Sequence, residues 1–83
     1  MKLAPFVKFR EEKFGGVLFE TRSEKVFTLS PTGAAVVREI EAGGGEDELL
    51  ARLKARFDDK DGTMEKDARE FIASLRAQGL VAD

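Results

Sequence analysis

The chain of 83 residues has no Cys and no His. Each absence closes a class of chemistry. Without Cys there is no disulfide staple, no thiol nucleophile and no thiolate cluster for zinc or iron–sulfur, and the chain suits a reducing compartment. Without His there is no imidazole base, proton relay or imidazole metal ligand. Long apolar runs are missing too, far short of the ~20 residues a membrane helix needs. No basic N-terminal region leads into an apolar core, so no secretory signal is expected. The expected location is the cytoplasm, away from membrane. A chain of this length forms one domain and buries only roughly 60% of the surface its unfolded form exposes.

Charge is what the sequence has in quantity. The net charge is -2, from 14 basic and 16 acidic residues. Residues 1–30 carry six basic against four acidic; residues 31–83 carry eight against twelve. The second half is the helical half, and an acidic balance is the wrong sign for helices meant to lie on phosphates.

The pattern changes period once, between Lys25 and Ile40. Val26 to Leu29 is β-branched and aromatic, a strand. Ser30-Pro31 ends it and starts a helix, with Ser as the cap and Pro where a free amide would be unpaired. Gly33, Val36, Val37 and Ile40 then fall on one helical face. Before this junction, strands are expected at about 5–10 and 14–20, joined by the polar turn Glu11-Glu12-Lys13. The pair Gly15-Gly16 marks a bulge or a close approach of another backbone. After it, helices are expected at about 31–42, 46–57 and 64–78. Gly43-Gly44-Gly45 separates the first two. Leu49, Leu50, Leu53 and Phe57 form the stripe of the second, whose terminal Arg52, Lys54 and Arg56 complement its dipole. Thr63 is the expected cap of the third, with Met64, Ala68, Phe71 and Leu75 facing the core, and Leu80-Val81 folds back after Gly79. Three short strands on short loops form an antiparallel meander. The expected class is therefore α+β: a three-stranded antiparallel sheet followed by three helices, in one domain spanning 1–83.

Candidate sites are few. If Gly62 is the sixth residue of a calcium loop, positions one and twelve are Phe57 and Ala68, so both principal carboxylates are missing and no metal is expected. The triple glycine lacks the Lys-Ser/Thr of a phosphate loop and is followed by Glu46, Asp47 and Glu48, which repel phosphate. Ser30 has no base beside it and reads as a cap, not a nucleophile. No catalytic residue and no cofactor site is expected, and the chain is not expected to be an enzyme. Lys66, Arg69 and Arg76 on the third helix permit a nucleic-acid-binding alternative, but Glu65, Asp67 and Glu70 interleave with them as on a solvated face. What remains is the strand Lys25-Val26-Phe27-Thr28-Leu29, with one charge in five residues. If it is an edge, its free backbone is a template for an extended peptide or for a second copy. A monomer or weak homodimer is expected.

Residues Arg10 to Phe19, then Val26 to Gly33, then Asp67 with Phe71, Leu75 and Gly79-Leu80-Val81, resemble the PqqD-like peptide-modification chaperones, or RiPP recognition elements. The resemblance spans nearly the whole chain and rests on order and spacing. One departure is Ser30-Pro31, where many members have Asn and a non-proline residue. The resemblance implies a winged-helix-like arrangement and a non-catalytic adaptor. Such an adaptor binds the leader of a ribosomally made precursor peptide and presents it to a modifying enzyme. The Phe-Gly-Gly-Val-Leu-Phe version implies a radical SAM/SPASM-type maturase as partner. The leader would add as a strand to Lys25–Leu29 and lie against the third helix, beside Ala68. Of the two flanks of that helix, Arg69, Ile72 and Arg76 are expected to line the groove and to favour a leader with a large apolar residue and an acid. Asp67, Ser74 and Gln78 are the alternative.

Overall fold

The computed structural model describes residues 1–57 and 61–82. In chain order they form β1 (Lys2–Leu3), β2 (Val7–Glu12), β3 (Gly15–Glu20), β4 (Lys25–Leu29), α1 (Pro31–Ala42), α2 (Glu46–Arg56), α3 (Thr63–Ala77) and β5 (Val81–Ala82). The fold is α+β. β2, β3 and β4 form an antiparallel sheet in that order, so β4 is an edge. Of the expected acidic loop, Asp58, Asp59 and Lys60 lie outside the described residues.

The first strand starts and ends two residues later than expected. Pro5 and Phe6 sit in a turn closed by the Val7 amide on the Ala4 carbonyl at 3.0 Å, and Pro fits the second position of such a turn. The hairpin bend is Lys13-Phe14, because Glu12 pairs with Gly15. Gly15 has φ +142, and a Cβ there would stand 2.2 Å from the Leu29 carbonyl oxygen and 2.6 Å from the Ser30 carbonyl carbon. The close backbone approach expected of this Gly pair is therefore to the β4–α1 junction, and only Gly permits it.

α1 lies across the inner face of the sheet, where Leu18, Val36, Val37 and Ile40 are fully buried. Leu49 and Leu53 of α2 and Ile72 of α3 close the core from the other side. Ser30 caps α1, its Oγ accepting from the Gly33 amide at 3.1 Å. The cap of α3 differs from expectation. Thr63 is the first helical residue, and its amide donates to Asp61 Oδ1 at 3.0 Å. That bond holds the Asp61 carboxyl below its ordinary range. Phe57 is not part of the α2 stripe; it lies past the helix end, 44% exposed.

Two features escaped the sequence patterns. β1 and β5 pair antiparallel, Leu3 opposite Val81, as a separate two-stranded sheet. Glu39 is buried in α1. Arg52 reaches it at 2.7 Å and also caps the Glu39 and Gly43 carbonyls at 3.0 and 2.8 Å, while Arg56 reaches it at 3.2 Å. These two arginines thus stitch α2 to the end of α1 instead of serving only their own helix terminus, and Lys54 pairs with Glu65 of α3. Among the described residues no helix is long and apolar enough to cross a membrane.

Candidate functional site

Which backbone groups of β4 are free follows from the register. The Thr21 amide donates to the Phe6 carbonyl at 2.8 Å. Those residues stand one step beyond the Val7–Glu20 pair. Hydrogen-bonded and non-bonded pairs alternate along an antiparallel ladder. Lys8–Phe19, Arg10–Val17 and Glu12–Gly15 are therefore the bonded pairs of β2 and β3. β3 then turns the polar groups of Gly16, Leu18 and Glu20 toward β4, where they meet Leu29, Phe27 and Lys25. Val26 and Thr28 are left with N–H and C=O directed outward. No backbone bond from another element reaches them among the described residues.

Beside this edge lies an open groove of about 420 Å³. Thr28, Leu29, Ser30, Thr32, Gly33 and Val36 line it from β4 and the start of α1, and Asp67, Ala68 and Phe71 from α3. Leu29, Val36 and Ala68 are buried and Phe71 is half-buried, so the floor is apolar. Gly33 keeps it open: a Cβ there would make ordinary contacts with Ser30 Oγ at 3.5 Å, Leu29 Cβ at 3.6 Å and Phe71 Cζ at 3.7 Å. Asp67 is the single charged residue of the lining. It is exposed and has no hydrogen bond or ion pair among the described residues.

The expected site residues divide. Lys25 to Leu29 form the edge, and Ala68 lies in the groove floor. Arg69, Ile72 and Arg76 do not line the groove. Ile72 is fully buried in the core. Arg69 turns to α2, reaching Glu46 at 2.8 Å and Asp47 at 3.4 Å, and bonds Glu65 at 3.2 Å. Arg76 reaches Glu46 at 2.8 Å. These contacts raise the Arg69 pKa, the Glu65 bond most of all, and Lys54 together with Arg69 lowers that of Glu65. The groove uses the alternative flank, though only its first member: Gln78 Nε2 donates to Ser74 Oγ at 3.1 Å and neither lines the cavity. Thr32, Gly33, Val36 and Phe71 also line the groove and are not among the residues expected there. The available signal was Gly33, a helical position with no side chain one turn after an edge strand.

Two of the three cations on which a nucleic-acid interface would depend are also accounted for. Arg69 and Arg76 are paired with the acidic start of α2, while Lys66 stays exposed on α3. The arrangement is instead a bare strand edge beside an apolar trough with one free carboxylate.

A family model described as coenzyme PQQ synthesis protein D (PqqD) matches residues 15–81. No curated protein sequence matches significantly. Two solved structures are similar. TbiB1 in complex with the TbiA(beta) leader peptide is 24% identical over 100% of both chains, with a TM-score of 0.82. Lasso peptide synthetase B1 complexed with the leader peptide is 22% identical over 99% of this chain and 96% of that one, with a TM-score of 0.79. At these identities the likeness is one of fold.

Proposed function

Because the chain belongs to the PqqD family, we propose that it is a RiPP recognition element, a non-catalytic cytoplasmic adaptor that binds the leader of a precursor peptide and presents it to a modifying enzyme. The observation that carries this is the open β4 edge with the groove beside it. An extended leader adds as a fourth strand, bonding to Val26 and Thr28, and sends alternate side chains down between α1 and α3. Backbone bonds hold any extended peptide; the groove selects among them. The apolar floor takes one large apolar side chain. Asp67 favours a basic residue near it, which reverses the acid expected when Arg69 and Arg76 were placed at the site. Ordering a flexible leader opposes binding, so the affinity is around micromolar.

Both solved structures of like fold hold a leader peptide, which supports the reading. The partner enzyme is proposed as a radical SAM/SPASM-type maturase from the Phe14–Phe19 resemblance. One of the structural neighbours is a lasso peptide synthetase component, and the same groove would serve that enzyme class equally. Titration calorimetry with a synthetic leader, from a precursor peptide gene located by sequencing the neighbourhood of this one, tests the function. Saturable one-to-one binding is expected. No heat and no displacement at high micromolar peptide, with the partner enzyme present, would overturn it.

A further inference from the structure

Apart from Thr28, which borders the groove, the face of the sheet turned away from α1 takes no part in it. By register, Lys8, Phe19 and Val26 form one row across it, and Arg10, Val17 and Thr28 the next. Val26 is 59% and Phe19 37% exposed. They stand opposite each other in a non-bonded pair, where side chains approach closest. Lys8, Arg10, Val17 and Phe19 line a shallow depression at its β2 side. Lys8 has no ion pair among the described residues. Glu12, one row further along the same face, is held by Arg10 at 2.6 Å, which leaves Lys8 as the unpaired cation of these rows among the described residues. This is an apolar strip with one unpaired lysine at its margin, on a protein whose net charge is -2.

Resting on the peptide-binding reading above, we propose that this face docks an apolar, carboxylate-rimmed surface of the enzyme that modifies the peptide, and that the bound peptide completes the face. A strand added to β4 sends every second side chain into the groove and the others outward, beside Val26 and Thr28. The enzyme therefore meets domain and peptide as one continuous sheet face, and binds the loaded domain better than the empty one. A second copy fits poorly. A two-fold interface pairs residue i with residue j, so Lys8 would need an acid of the same patch opposite it, and the acid on this face, Glu12, is already held by Arg10. An acidic rim has the complementary sign.

The test uses the protein, the synthetic leader that it binds and the enzyme that modifies that leader's precursor. Enzyme immobilised on a sensor surface is titrated with empty and leader-loaded domain, wild type and the variants Lys8→Glu and Phe19→Thr. Lys8 is exposed and Thr is a good strand residue, and circular dichroism reports whether each variant folds. Leader affinity stays within about twofold in both variants, since neither residue touches the groove, while enzyme affinity falls by about tenfold or more. Loaded wild type binds the enzyme more tightly than empty wild type. Folded variants that bind leader and keep full enzyme affinity overturn the docking face alone. So does a loaded wild-type domain that fails to bind the enzyme, or a dimer in light scattering that Phe19→Thr dissolves. A wild-type domain that binds no leader overturns the groove assignment and this inference with it.

Discussion

The sheet has two edges, and they differ in kind. β2 carries Lys8, Arg10, Glu11 and Glu12 among its six residues; β4 carries Lys25 among its five. Charged side chains are a common way of blunting an edge against further pairing. On β2 the device is reinforced. Glu11 is fixed by Arg38 at 2.7 Å, a bond that raises the arginine's pKa, and the Val7 amide is already used by Ala4. On β4 two outward residues keep their backbone groups free, and a trough runs alongside. An open edge is common in small sheets. It becomes a site when it is uncharged and when a concave apolar surface is placed to take the side chains of whatever pairs with it.

Substitutions at the two edges should therefore diverge. The largest effect is expected at Gly15, which holds β3 against the end of β4. Gly15→Ala meets backbone atoms and a positive φ, and should cost on the order of 3 kcal/mol of stability, read by urea denaturation. Thr28→Pro removes one outward amide at little cost to the sheet, since Pro is tolerated at an edge. It should weaken leader binding by about 2 kcal/mol, or ~30-fold. Glu11→Pro, the matching change on β2, should leave leader affinity unchanged. Phe27→Pro would remove an inward amide that pairs with β3 and should instead destabilise the fold.

Smaller effects sharpen the role of the groove. Gly33→Ala relieves the entropic cost of Gly in a helix, raising stability by roughly 0.5–1 kcal/mol. The added methyl fills the groove floor, so binding should weaken by about tenfold. Opposite signs in melting and in calorimetry would separate site from scaffold in one variant. Arg69→Ala and Arg76→Ala should leave leader affinity unchanged and move the melting temperature little, as expected for exposed ion pairs. The smallest effect concerns pH. Glu65 is held below its ordinary value by Lys54 and Arg69. Its contribution is full above the ordinary glutamate range and is lost as pH falls through the lower folded value. Glu65→Gln should remove that part of the acid destabilisation seen in thermal melts.

Much of this was legible in the sequence, because it is local. Val26 to Leu29, the Ser30 cap and Pro31 each act over a few residues, and the strand-to-helix junction stands where they put it. The flank of α3 was not legible. A helical wheel gives angles between side chains, not the identity of the neighbour. Arg69 and Arg76 look like a free basic flank until Glu46 and Asp47, some 20 to 30 residues away, are brought against them. Glu39 escaped for the same reason: a carboxylate is buried only if partners such as Arg52 arrive from another helix. β1 and β5 are two residues each, too short to show any period.

The central claim is that β4, and not β2, is the edge that takes the peptide. It is tested most directly by following backbone amides of the isotope-labelled domain while the synthetic leader is added. The expected result is that the largest shifts fall on Val26, Thr28, Gly33 and the Asp67–Phe71 turn of α3, with Val7 to Glu12 unmoved. Shifts centred on β2, or on Arg69, Arg76 and the start of α2, would contradict it.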